Sequence, residues 1–191
     1  QLIAGFDVNH PTTRRQPIPD YVATLKHGVR DIRVGIDWSY CSTRVDPETS
    51  EAIVVAAKVL AVLGVQIQEV KLPRIEEAIG AWGVIFTAEC GASHEETYPS
   101  RADDFSPPFR AFLEEAQKAR GIDYAKANVA RQRVSRLIDD VLQSVDLLLC
   151  PTMGMVPMKL DGRAPEEIIT PEIGHNLLGF TSPFSLGGNP T

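Results

Sequence analysis

The spacing of apolar positions changes several times along this chain, and each change marks an element. Ile32-Arg33-Val34-Gly35-Ile36-Asp37 alternates apolar and other residues with a period of two. This predicts a short strand in which Gly35 leaves room for a close neighbour. Asp46-Pro47-Glu48 follows, combining an N-cap acceptor, a proline suited to the first helical position and an acid facing the positive end of the helix dipole. Ile53, Ala56, Ala57, Leu60 and Leu63 then recur at helical spacing, and Gly64 supplies a left-handed stop. Val65-Gln66-Ile67-Gln68-Glu69-Val70 returns to strict alternation. The segment from Ile32 to Leu72 therefore reads strand, helix, strand, with the two strands parallel and the crossover right-handed.

After Pro73 a helix carries Ala78, Trp82, Ile85, Ala88 and Ala92 on one side for about five turns, with Glu89 beside that face. Another begins at Ser106-Pro107, presents Phe109, Phe112, Leu113 and Ala116, and is expected to stop at Gly121. A further helix begins at Asp123 and runs through Tyr124, Ala127, Ala130, Val134, Leu137 and Val141. Val145-Asp146-Leu147-Leu148-Leu149-Cys150 is a nearly continuous apolar run ending at Pro151, the pattern of a strand buried on both faces. Two stretches lack periodicity. Residues 1–31, with Asn9-His10-Pro11 and Gln16-Pro17-Ile18-Pro19-Asp20, read as an extended arm over the surface. From Met153 to Thr191 glycine and proline become dense; loops leaving the carboxyl ends of buried strands are where α/β proteins build sites. The expected fold class is α/β, part of a mixed, largely parallel sheet covered by helices. Residues 1–191 then form a single partial domain.

Charge and composition narrow the function. The 191 residues carry 19 Lys and Arg against 25 Asp and Glu, a net charge of −6, with the basic residues scattered. A phosphate-tracking surface has no footprint here, so no nucleic-acid partner is expected. The longest apolar stretch, Ala52 to Val65, is interrupted by Lys58 and falls short of the roughly 18 to 20 residues of a membrane span. The first residues lack a basic region followed by an apolar core, and there is no initiator Met; the expectation is a cytoplasmic protein of which this chain is a portion. Cys41, Cys90 and Cys150 are odd in number and far apart, which points to reduced thiols. His10, His27, His94 and His175 show no metal-ligand spacing. No metal and no cofactor are expected.

The remaining candidate chemistry is sparse. Asp139 and Asp140 are adjacent on a helix and do not share a face, which fits solvated acids. Cys150 ends a buried strand with His175 downstream; the two are either a Cys/His hydrolase pair or, more simply, a packed thiol and an unrelated histidine. Gly187-Gly188-Asn189-Pro190 could cradle an anion, yet it lacks both the P-loop Lys-Ser/Thr and the GxGxxG spacing. Glu89 and Arg131 read as a buried polar anchor between helices. On residues alone this is part of a cytosolic α/β protein, a hydrolase among its readings, with no nucleophile identified.

The order of seven segments adds a resemblance. Ile3-Ala4-Gly5-Phe6-Asp7, the strand Ile32 to Ile36, Asp46-Pro47-Glu48 with its helix, Val70-Lys71-Leu72-Pro73, Ala88-Glu89, Asp146-Leu147-Leu148-Leu149-Cys150-Pro151-Thr152 and Phe180 to Pro190 follow one another in a succession that resembles the carboxyl-terminal half of the amidase signature family. The resemblance implies a large mixed sheet sandwiched by helices. It also implies amide hydrolysis by a Ser–cis-Ser–Lys triad: a neutral lysine draws a proton through the middle serine, the nucleophilic serine attacks the carbonyl, and water releases the acid from the acyl-enzyme. The Gly/Ser-rich segment holding both serines has no counterpart in these residues, so no catalytic residue is carried over. Thr152 and Met153 in the turn after the buried strand, with Thr181, Pro183 and Phe184 in the late loop, are implied to wall the acyl or leaving-group pocket. Ser185 stands where the family commonly has Asn. The implied partner is a small-molecule amide, and the chain alone is expected to be inactive. Two alternatives stay open: a non-catalytic ligand- or partner-binding α/β module, and an amidotransferase subunit related to aminoacyl-tRNA amidation. A piece of such a sheet is expected to expose unpaired edges, favouring aggregation or a homodimer.

Overall fold

Among the described residues three parallel strands form one sheet in the order β2-β1-β3, where β1 is Arg33–Ile36, β2 is Gln66–Glu69 and β3 is Leu147–Leu148. The computed structural model describes residues 3–10, 13–73, 75, 77–159, 162 and 171–190, with backbone only at 171 and 172. Gln1, Leu2 and Pro11 of the arm and Thr191 at the far end lie outside the described residues. The arm's described residues are mostly exposed and include one short helix, α1 (Tyr21–Thr24), whose first turn is capped by the Asp20 carboxylate.

The strand, helix, strand reading holds. Helix α2 (Pro47–Val62) begins where Asp46 accepts from the Glu48 N–H at 2.9 Å, and Gly64 follows it at φ 99°. In β1, Val34 lies opposite Ile67 of β2 and Leu147 of β3. The start of the sheet is clamped by Arg33, whose Nη2 and Nε meet the two Asp146 carboxylate oxygens at 2.7 and 3.1 Å. A two-point contact of this kind orients both partners, although each is partly solvated.

Helices cover both faces. Against one, Ile53 and Ala57 of α2 pack with Val34, Ile36, Cys41 and Val65. Against the other, α3 (Glu77–Ser93), α5 (Gly121–Leu142) and α7 (Ser182–Gly187) bury Ala78, Ile85, Val134, Ile138, Phe184 and Leu186. Helix α4 (Pro107–Ala116) leans on α3 where Gly91 lets Ala116 approach: a Cβ on Gly91 would stand 3.0 Å from the Ala116 methyl.

Several expectations are corrected. Gly121 does not stop α4, which ends at Ala116; it opens α5, with Asp123 in the first turn held by Arg120 at 2.6 Å. Gly121 is tolerated there because an acid in the first turn, complementing the dipole, sets the start. The run from Val145 to Cys150 contributes only two paired residues, and it is not buried on both faces: β3 lies at the sheet edge, with Leu147 54% exposed. The region after Met153 is not all loop, since α6 (Pro171–Leu178) and α7 are helical. Glu89 and Arg131 form no buried anchor: both are exposed, and Glu89 accepts from the Tyr124 hydroxyl at 2.8 Å. A second polar link from α5 to α3 is Arg133 to Glu77, at 2.8 and 3.0 Å.

Candidate functional site

The carboxyl ends of the three strands lead into Asp37, Leu72-Pro73 and Cys150-Pro151-Thr152, and two cavities lie against these segments. In an open parallel sheet, this end is where ligands sit. The first cavity, about 530 Å³, is walled by Ile138 and Leu142 of α5, Leu148 of β3, and Pro151, Phe180 and Phe184. Its polar atoms come from few side chains, among them Thr152, Thr181 and Asn189. Thr152 comes from the turn after β3 and Thr181 from the turn between α6 and α7.

Of the five residues expected to wall a pocket, Thr152, Thr181 and Phe184 line this cavity, whereas Met153 and Pro183 do not. Pro183 is fully buried in the first turn of α7, and Phe184 is buried behind it. Thr181 is N-cap to that helix, so the late loop is in fact a helix start: proline fits the first turn and Gly188, at φ 80°, closes the last. The anion cradle suggested for Gly187 to Pro190 is not available, since the Gly188 and Asn189 N–H groups both donate to the Phe184 carbonyl, at 2.9 and 3.1 Å. Asn189 instead contributes an Oδ1 that is buried without a hydrogen-bond partner among the described residues.

The second cavity, about 490 Å³, lies beyond Phe180, which lines both. One wall is apolar, from Leu72, Pro73, Ile75 and Ile79; the other carries Ser39, Tyr40, Thr43, Arg44, His175 and Asn176. At its base Asp37 is 7% exposed. Asp37 accepts from the Tyr40 N–H at 3.0 Å and from the Leu72 N–H at 2.8 Å, joining the loops that leave β1 and β2. Tyr40 donates its hydroxyl to the Gly179 carbonyl and packs its ring 4.7 Å from Phe180. Gly154 closes the arrangement: its N–H donates to the Asn176 carbonyl at 2.9 Å, and its carbonyl accepts from the Asp46 N–H at 2.8 Å. A side chain there would meet the Phe180 ring at 3.1 Å.

Cys150 and His175 are not brought together. Cys150 lines the first cavity and His175 the second, and no hydrogen bond joins them. Burial pushes the Cys150 thiol up to about 11 and the Cys41 thiol to about 12, the latter also through the nearby Cys150 and Asp37. Neither is a thiolate at neutral pH, so the Cys/His reading falls. Asp139 and Asp140 are exposed, as solvated acids should be. Among the described residues no cluster of His, Cys, Asp and Glu could hold a metal, and no helix is long and apolar enough to cross a membrane. Sequence reasoning missed Asp37, Arg44 and Phe180 as site residues. Asp37 was detectable as the polar residue ending an alternating strand; Arg44, in a turn at φ 60°, left no signal.

Comparison with known proteins places this geometry. The family model described as Amidase matches residues 1–191. AmiD of Mycobacterium tuberculosis is 32% identical over 192 residues, covering 99% of this chain and 39% of its own length. An amidase of Pseudomonas putida is 31% identical over 170 residues, covering 89% of this chain and 36% of its own. The solved structure of a bacterial aryl acylamidase superimposes with a TM-score of 0.69 at 21% identity, covering 96% of this chain and 40% of that one. The chain thus spans 39% or less of these curated relatives.

Proposed function

The chain belongs to the amidase signature family, and from that premise we propose that the protein hydrolyses a carboxylic amide through an acyl-enzyme of the Ser–cis-Ser–Lys type. In this reading residues 1–191 supply core and pocket loops, and the triad lies in other residues of the protein. The observation that carries it is the first cavity, which Thr152, Thr181 and Phe184 line together with a mostly apolar set that includes Ile138, Leu142, Leu148 and Phe180. Such a space, closed by aliphatic and aromatic side chains with two hydroxyls at its margin, suits the apolar acyl or aryl part of an amide. Its polar groups then orient the substrate, and the attack belongs to the serine. The partner in this reading is a small-molecule amide.

The test uses the full-length protein. A serine-directed fluorophosphonate should label it, and a panel of aliphatic and aryl amides should be hydrolysed. Thr152 is exposed at the cavity margin; Thr152→Trp should raise KM for the best amide about tenfold while leaving the melting temperature unchanged. A protein that is neither labelled nor active on any amide would end this reading and favour a binding module.

A further inference from the structure

We propose that the second cavity, beyond Phe180, is a binding site for a small carboxylate attached to an apolar body, with Arg44 as its cationic anchor. Five observations meet there. The cavity is about 490 Å³, the size of a small organic molecule. It lies at the carboxyl ends of β1 and β2, where an α/β sheet offers its loops to ligands.

Its walls are chemically divided. Leu72, Pro73, Ile75 and Ile79 form an apolar side, while Ser39, Thr43 and Arg44 form a side of hydroxyls and a guanidinium. Arg44 stands at φ 60°, a conformation uncommon for a residue with a side chain, and one that persists where the surrounding structure enforces it. The turn carrying it is tied down on both sides. The Thr43 N–H donates to the Ser39 carbonyl at 2.9 Å, and the Asp46 N–H to the Gly154 carbonyl at 2.8 Å.

Arg44 has no carboxylate within ion-pair distance among the described residues. Among the described residues the one acid lining the cavity, Asp37, spends its two oxygens on the Tyr40 and Leu72 N–H groups and is nearly buried. It therefore braces the floor and leaves the guanidinium fork open to a ligand. A planar carboxylate matches that fork through two parallel hydrogen bonds, a match a lysine would not provide. The apolar wall opposite selects the rest of the molecule.

This site is separate from the cavity assigned to the amide's apolar part and does not depend on the hydrolytic reading, because binding is measured directly. The probes are phenylacetate and 2-phenylethanol, a neutral analogue with no bond an amidase could hydrolyse, titrated into the full-length protein by calorimetry. The expected result is that phenylacetate binds about tenfold or more tightly than 2-phenylethanol, the scale of a charge-assisted pair. Arg44→Gln should abolish that preference and leave 2-phenylethanol affinity unchanged, with Arg44→Lys restoring part of it. Ile79→Trp, which fills the apolar side, should weaken both probes alike. No binding of phenylacetate by the wild-type protein, or an unchanged preference in a folded Arg44→Gln variant, would overturn the proposal. Should Arg44→Gln fail to fold, an Ile79→Trp protein that still binds both probes as the wild type does would overturn it too. Loss of amide hydrolysis with carboxylate binding intact would overturn only the functional reading.

Discussion

At Gly35 the sheet has no room for a side chain: a Cβ would meet Val145 and Val70 methyl groups at 3.0 Å and a Leu148 methyl at 3.1 Å. Those three residues flank the central strand, so the crowding cannot be relieved by moving one flexible tip. Gly35→Ala is therefore expected to cost about 1–3 kcal/mol through overpacking, read as a lower midpoint in urea unfolding with an unchanged slope. The glycine's role was legible in the sequence because a strand interrupted by glycine announces a close neighbour; which neighbours was not. Asp146 makes a second residue-scale case. Its hydrogen bonds to the Arg33 side chain and backbone hold the carboxyl down to about 2. A depressed acid contributes stability that is present above its ordinary value near 3.8 and is lost as pH falls through about 2. Asp146→Asn should lower the melting temperature at neutral pH, and its deficit against wild type should shrink between about pH 4 and pH 2. Because both partners are partly solvated, 0.5 M salt should reduce the effect. The same exchange at a buried pair would resist salt.

Among the elements, starts proved more legible than ends. Asp46-Pro47-Glu48 sets α2 because cap, proline and acid all favour the same residue, and the structure shows the Asp46 bond to the Glu48 N–H. Asp46→Ala should destabilise the protein by about 1 kcal/mol, measurable by chemical denaturation. Gly121 misled because glycine serves either end of a helix, and only the Arg120 to Asp123 pair across the first turn decides which. Helix α7 was hidden for a related reason. Pro183 and Gly188 read as loop composition, yet one belongs to a first turn and the other is a left-handed cap. Of the pocket residues implied by family resemblance, the three that line the cavity sit where elements begin or end, and Pro183 was drawn inward by the helix that the pattern concealed. Arg44 could not have been found in this way: a positive φ in a short turn is imposed by what packs around it, which no local spacing records.

For the molecule as a whole, the sheet has one well-packed centre and a thin margin. β1 is hydrogen-bonded on both sides, while β3 offers two paired residues and an exposed Leu147. Helix α2 turns Val55, Val59 and Val62 outward, a run of apolar residues on one solvated face. These surfaces predict self-association of residues 1–191 expressed alone. Light scattering should give a mass above that of one chain, and Val59→Lys should shift it downward by breaking the exposed face. A monodisperse monomer at high concentration would contradict this.

Phe180 belongs to both cavities, with Tyr40 braced against it and Gly154 beneath it. A ring shared by both walls makes the two chambers neighbours in energy as well as in space. Whatever fills one side restricts the angles at which that ring can stand on the other, so each occupant alters the affinity for its counterpart by the same factor. Two ligands measured together should then depart from the product of their separate affinities, and Phe180→Leu should bring them back toward independence.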